Sequence, residues 1–289
     1  VKRQASNDIR QIALNGIKLA FLEWPGELGP IICLPHLTGH KGSFINLAGR
    51  LSPAYRLIAL DLRGRGESDK PEDGYGFAYH ARDVLDFAEA RKIDHFTLIG
   101  HSFGATTATY IGSIAPGRID AIVLMDGGAD PKEETLRAMY PTIKRLSKVF
   151  ASMDEYLAAM RALPFYQPWS AALECYFADD AETLPDGSVR SKSSAAAIER
   201  DLDQHFMYSM CLHFPALRCP ALFLRPALGL MGDKGHVFSE AEASAIVRHI
   251  PRGRRVDVPG ASHYTMLIHD EPPVVEPIQK FLAEVYAVA

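Results

Sequence analysis

A serine flanked by glycines, in Gly100-His101-Ser102-Phe103-Gly104, is the stretch of this chain best equipped for covalent chemistry. An apolar run of the kind that forms a buried strand, Phe96-Thr97-Leu98-Ile99, precedes it. Small residues at helical spacing, Ala105 to Ile111, follow it. Strand, sharp turn and helix in that order lift a serine hydroxyl clear of a sheet, and the strained backbone leaves no room for side chains on either side. The helix start also points N–H groups at any negative charge that develops beside Ser102. The chemistry this allows is nucleophilic attack on a carbonyl carbon. The plain alternative is a glycine-rich loop that holds a serine by chance, and the rest of the chain has to decide between them.

The elements that must position the serine alternate. Ile9–Leu14, Asn15-Gly16 and Ile17–Glu23 predict a β-hairpin with a two-residue turn. Pro30–Leu34 is a continuous apolar strand running into Pro35-His36-Leu37-Thr38-Gly39-His40, and Phe44–Leu51 has helical spacing. Tyr55–Asp61 is another strand, ending in the charged, glycine-punctuated Leu62–Asp69, and an amphipathic helix over Phe77–Arg91 returns to the serine strand. After Ala121–Asp126 the rhythm breaks. Residues 131–214 show helical patterns, aromatics and methionines, with no strand pattern. Alternation resumes at Pro220 with a strand, a helix over Ser239–His249, the strand Arg255–Val258 and a closing helix over Pro273–Tyr286. Strands alternating with helices predict an α/β fold, a parallel sheet covered on both faces. Residues 1–130 and 215–289 then form one core, and 131–214 a helical cap over the strand ends.

Composition removes several classes. The formal charge is −4 and the basic residues are dispersed, which excludes a nucleic-acid footprint. No apolar run is long enough to span a bilayer and no secretory leader pattern is present, so a cytoplasmic protein without a membrane partner is expected. Four cysteines without a Cys-x-x-Cys pair are expected to be buried free thiols in a reducing compartment. The histidines outside the motifs have no metal-ligand spacing, so neither metal nor cofactor is expected.

The hairpin, the His36 loop, Asp61-Leu62-Arg63-Gly64-Arg65-Gly66-Glu67-Ser68, the Ser102 pentapeptide and Val258-Pro259-Gly260-Ala261-Ser262-His263 together, in this order, resemble the α/β-hydrolase superfamily along nearly the whole chain. The resemblance implies a mostly parallel eight-stranded sheet and a cap after the sixth strand, where 131–214 falls. It implies that Ser102 is the nucleophile and His263 the base, with the backbone N–H groups of Phe103 and Leu37 as the oxyanion hole. His36 heads the loop that carries Leu37, where the family usually has His-Gly. A serine at the nucleophile position separates the chain from the related dehalogenases and epoxide hydrolases, which carry aspartate there. The triad acid lies after the sixth or the seventh strand in the family, so Asp126 and Asp233 both qualify, with Asp126 favoured because a strand end is more rigid than a loop holding Gly229, Gly232 and Gly235.

The reading that follows is hydrolysis of a carboxylic ester or lactone of a bulky, largely apolar small molecule, by a monomer or homodimer. His36, Tyr166 and Trp169 are the expected substrate contacts. Two other classes stand beside it. One is a carbon–carbon bond hydrolase or cofactor-free dioxygenase on the same scaffold, and the other is a non-catalytic ligand-binding relative.

Overall fold

A computed structural model describes residues 8–287 apart from 138, 139, 206, 231 and 233. The hairpin forms as expected, β1 (Arg10–Leu14) against β2 (Ile17–Trp24), with Asn15 and Gly16 both at positive φ, the conformation a tight two-residue turn requires. The remaining strands of the main sheet are β3 (Leu28–Leu34), β4 (Tyr55–Leu60), β5 (Phe96–His101), β6 (Ile119–Met125), β9 (Ala221–Pro226) and β10 (Gly253–Val258). Their order is β1-β2-β4-β3-β5-β6-β9-β10. β1 and β2 run antiparallel to their neighbours, and all other pairs are parallel. This is the eight-stranded, mostly parallel sheet the sequence implied.

Side-chain alternation along the strands builds two cores. On β3, Ile32 and Leu34 face a layer containing α2 (Phe77–Ala90) and α3 (Phe103–Ile114). Ile31 and Cys33 face α1 (Ile45–Leu51) and the closing helix (Val275–Tyr286). A strand buried on both faces has no polar side to show, which is why β3, β5 and β6 are largely apolar.

Between β6 and β9 lie α4 (Glu133–Arg137), α5 (Tyr140–Lys144), α6 (Met153–Arg161), α7 (Ala171–Asp180), the strands β7 (Ala181–Thr183) and β8 (Val189–Ser191), and α8 (Ala195–His205). The pair β7–β8 corrects the expectation that this segment holds no strands. Three-residue strands are too short to show alternation. The hairpin rests instead on its turn, where Gly187 sits at φ +85° and Leu184 N–H donates to Ser188 O at 2.8 Å. A third cluster joins Tyr156, Tyr166 and Phe177 of this segment to Tyr264 and Ile268 of the core, so the segment expected to be the cap packs on the polypeptide just after His263. No described helix is long and apolar enough to cross a membrane.

The described cysteines are free, as expected, but only Cys33 and Cys219 are buried. Cys175 and Cys211 are exposed, against the expectation of four buried thiols.

Candidate active site

Ser102 stands between β5 and α3 with φ +55° and ψ −117°, a conformation non-glycine residues rarely adopt. Its neighbours explain how the strain is tolerated. A Cβ on Gly100 would lie 2.4 Å from Gly104 O, and one on Gly104 would lie 2.1 Å from Leu34 O. The turn is held to the sheet by Ser102 N–H donating to Met125 O at 2.8 Å.

Asp126, immediately after β6, also has positive φ, +43°, and its N–H donates to Leu224 O of β9 at 2.9 Å. Gly127 follows because a Cβ there would meet Ser102 O at 2.3 Å. The sheet therefore fixes both residues through backbone bonds on adjacent strands. His263 lies on the loop after β10, and its Nδ1 is 2.7 Å from Asp126 Oδ2 in a buried pair. That contact sets the tautomer: Nδ1–H donates to the carboxylate and Nε2 is left to accept a proton. Asp233, the alternative acid, lies outside the described residues.

Ser102, Asp126 and His263 border one cleft of about 680 Å³, open mouth included. Leu37 and Phe103, the two expected oxyanion residues, border it too. The other walls are Thr106, Gly127 and Ala129 from the core, Pro131, Thr135, Phe165 and Leu202 from the cap segment, Leu230, Val237 and Phe238 from the loop after β9, and Tyr264. No lysine or arginine is among these lining residues.

His36, Tyr166 and Trp169, expected as substrate contacts, are not among them. Tyr166 is fully buried one layer back, its ring 4.7 Å from that of Tyr264, which forms the wall in front of it. The adjacent Phe165 faces the cleft instead, because the short 3₁₀ turn Pro164–Tyr166 sends neighbouring side chains in different directions. Trp169 stacks on Phe177 and donates from Nε1 to Glu174 at 2.7 Å, on the outer side of the cap. His36 is buried beneath the loop that carries Leu37, with Nε2 3.1 Å from the Tyr176 hydroxyl.

Two of the three histidines around the serine are held neutral. Burial, together with the nearby His263, pushes His101 well below the usual histidine range. Its Nε2–H donates to His263 O at 2.8 Å, anchoring the His263 loop. Burial and the neighbouring His101, His263 and His40 push His36 down as well.

The Asp61–Ser68 motif lies against the loop that carries Leu37, where Arg65 Nε donates to Leu37 O. Asp61 accepts from Lys41 N and Nζ and from Glu67 N, and a Cβ on Gly66 would strike its carboxylate at 2.2 Å. Arg65, His80 and Asp201 form a wholly buried ionic group whose contribution no sequence spacing announces. Arg145 was also missed. It lies in the cap core against Phe177 and Met160, one layer behind the cleft wall, where its charge acts on the Tyr166 and Tyr264 hydroxyls. Among the described residues no cluster of His, Cys, Asp or Glu is arranged to hold a metal.

The sheet order, the strained serine turn and the histidine loop after the last strand define an α/β hydrolase. The chain belongs to that family: a model of the alpha/beta hydrolase fold matches residues 29–270. Among curated proteins it is similar to 2-(acetamidomethylene)succinate hydrolase of Mesorhizobium japonicum, with 28% identity over 250 residues and 84% of each chain covered. It is also similar to N-formylmaleamate deformylase of Pseudomonas putida, with 28% identity, covering 74% of this chain and 76% of that one. Among solved structures, E-2-(acetamidomethylene)succinate hydrolase superposes with a TM-score of 0.83 at 24% identity, over 95% of this chain and 98% of that one, a likeness of fold. The protein is thus a hydrolase by family.

Proposed function

We propose that the protein is a serine hydrolase acting at an acyl carbon whose leaving group is nitrogen rather than alkoxide, in a small, uncharged and largely apolar molecule. The observation that carries the mechanism is the buried 2.7 Å contact between His263 Nδ1 and Asp126, on the cleft that Ser102 borders. Ser102 Oγ attacks the carbonyl carbon as His263 Nε2 takes its proton. The resulting oxyanion meets the backbone N–H groups of Phe103, at the start of α3, and Leu37. Collapse breaks the bond to the leaving group, which leaves with the proton returned by His263, and water releases the acyl group by the same route. Amines are poor leaving groups without that proton, so the rigid His263–Asp126 pair suits this bond class.

The choice of bond rests on the relatives, whose names specify an acetamido and an N-formyl group. The choice of an uncharged substrate rests on this chain. Both names also contain carboxylate groups, whereas the described cleft wall holds no cation to pair with one. Carbon–carbon cleavage of a diketone by the same residues is the second reading, and ester or lactone hydrolysis is the least supported by the relatives.

A substrate panel separates the three: N-acyl anilides, a neutral β-diketone and p-nitrophenyl acetate, each measured with wild type and with Ser102→Ala. Ser102-dependent turnover is expected to be highest for the anilides relative to the uncatalysed rates. Turnover confined to the diketone or the ester would overturn the bond assignment. Turnover that survives in folded Ser102→Ala would overturn the serine mechanism.

A further inference from the structure

Leu37 is held from two sides by side chains that lead into the cap. Its carbonyl accepts from Arg65 Nε at 3.0 Å. The guanidinium of Arg65 lies 5.4 Å over the ring of Phe103, so one cation touches both residues expected to supply the oxyanion N–H groups. Arg65 is in turn bound by Asp201 of α8, whose other oxygen accepts from Gly76 N at 2.6 Å, and His80 Nε2 lies 3.0 Å from the same carboxylate. Arg65, His80 and Asp201 are each fully buried. Burial alone would favour a neutral Asp201, but His80 and Arg65 outweigh it and hold the carboxyl well below the usual carboxylate range.

The second link runs through Tyr176 of α7. Its hydroxyl is 3.1 Å from His36 Nε2, the residue before Leu37. Its ring stacks on His40 at 4.3 Å, and its carbonyl lies 3.1 Å from His40 Nε2. Since Gly42 N–H donates to His40 Nδ1 at 3.2 Å, the ring proton must sit on Nε2, which therefore donates to the Tyr176 carbonyl. Both imidazoles fit only because glycines stand beside them. A Cβ on Gly39 would lie 2.7 Å from the His36 ring, and one on Gly42 would lie 2.5 Å from His40. A loop that builds space for two histidines, both reaching one cap tyrosine, is organised around that contact.

We propose that Tyr176 and Asp201 are positioning residues for the oxyanion donor at Leu37, so that the cap completes the hole as well as roofing the cleft. The inference rests on the serine-hydrolase reading. Neither residue borders the cleft, so neither touches substrate. A backbone N–H stabilises an oxyanion only when aimed at the position the charge will occupy, so losing its support lowers the rate of the bond-making step and leaves ground-state binding alone.

The test uses a fluorophosphonate probe on the whole 289-residue chain, because phosphonylation of Ser102 expels fluoride through a transition state whose P–O⁻ occupies the same hole. Tyr176→Phe keeps the ring on His40 and removes one hydroxyl. It is expected to lower the maximal labelling rate about 10-fold, with the probe's binding constant within about 2-fold of wild type and the melting temperature unchanged. Asp201→Asn, where circular dichroism shows it folded, should give the same split. A Tyr176→Phe protein that labels at the wild-type maximal rate overturns the proposal, as does a loss carried entirely by probe binding or by a lower melting temperature. A wild-type protein that takes no label at Ser102 overturns the serine reading itself, and the positioning proposal with it, so the two failures are distinguishable.

Discussion

The two walls of the cleft are held in different ways. On the sheet wall, Ser102 and Asp126 are fixed by backbone hydrogen bonds to the neighbouring strands, to Met125 O and Leu224 O, and the His263 loop is pinned by His101. On the cap wall, Phe165 and Leu202 are held largely by side-chain packing, Phe165 in the cluster where Tyr166 meets Phe177 edge-on and Trp169 stacks on Phe177, and Leu202 in the core cluster below α8. Backbone bonds place atoms without regard to most side chains, whereas packed rings shift when one of them changes size. On the proposed mechanism, reaction chemistry therefore sits where the geometry is rigid, and substrate choice where it can be altered by single substitutions.

The largest expected effect is on the sheet wall. Asp126→Asn keeps the shape of the side chain but lets His263 adopt the wrong tautomer. It should lower kcat by roughly 10³–10⁴ with the fold intact, as for triad acids generally. A folded Asp126→Asn protein with near-wild-type kcat would move the acid role to another carboxylate, Asp233 first.

Adjacent residues on the cap should behave oppositely. Tyr166→Ala empties a fully buried site and should cost about 3–5 kcal/mol of stability, read as a lower denaturation midpoint. Phe165→Ala faces the cleft and should change the ranking of acyl groups by KM with a smaller loss of stability. If the two exchange phenotypes, the layer order assigned to the cap is wrong.

Acid should weaken the fold before it reaches the carboxylates. His36 and His101 are neutral when folded and have pKa values well below the ordinary ~6.5, which they regain on unfolding. As pH falls from about 6.5 toward 5, the unfolded chain takes up protons that the folded one refuses. Each histidine then removes up to ~1.4 kcal/mol of stability per pH unit. Urea midpoints at pH 7.5, 6.5 and 5.5 check this, and a midpoint that rises on acidification would contradict the burial of these rings. The smallest effect belongs to Trp169→Ala. It lies on the outer side of the cap, away from the cleft, and should leave kcat/KM within about 3-fold of wild type for every substrate that turns over.

The same contrast explains what could be read from the sequence. The elbow, the strand-end Asp126 and the loop carrying His263 are legible because their signals are local: glycines beside a serine, an acid ending an apolar run, a histidine just past a strand. So is the centre of the sheet, where β3, β5 and β6 are largely apolar. The segment between β6 and β9 was legible as an interruption of the alternation but not in its detail. Nothing in Pro164-Phe165-Tyr166 tells which ring faces inward, and the β7–β8 strands are too short for a pattern. Arg65 and Asp201 stand 136 residues apart, and a buried ion pair at that separation has no periodic trace.

Intact mass after fluorophosphonate treatment shows directly whether Ser102 attacks as a nucleophile under the control of His263 and Asp126. One added phosphonyl group is expected on the folded wild-type protein, mapped to the peptide containing Ser102 and absent in Ser102→Ala. A folded wild-type protein that takes no adduct, or an adduct that persists in Ser102→Ala, would contradict it.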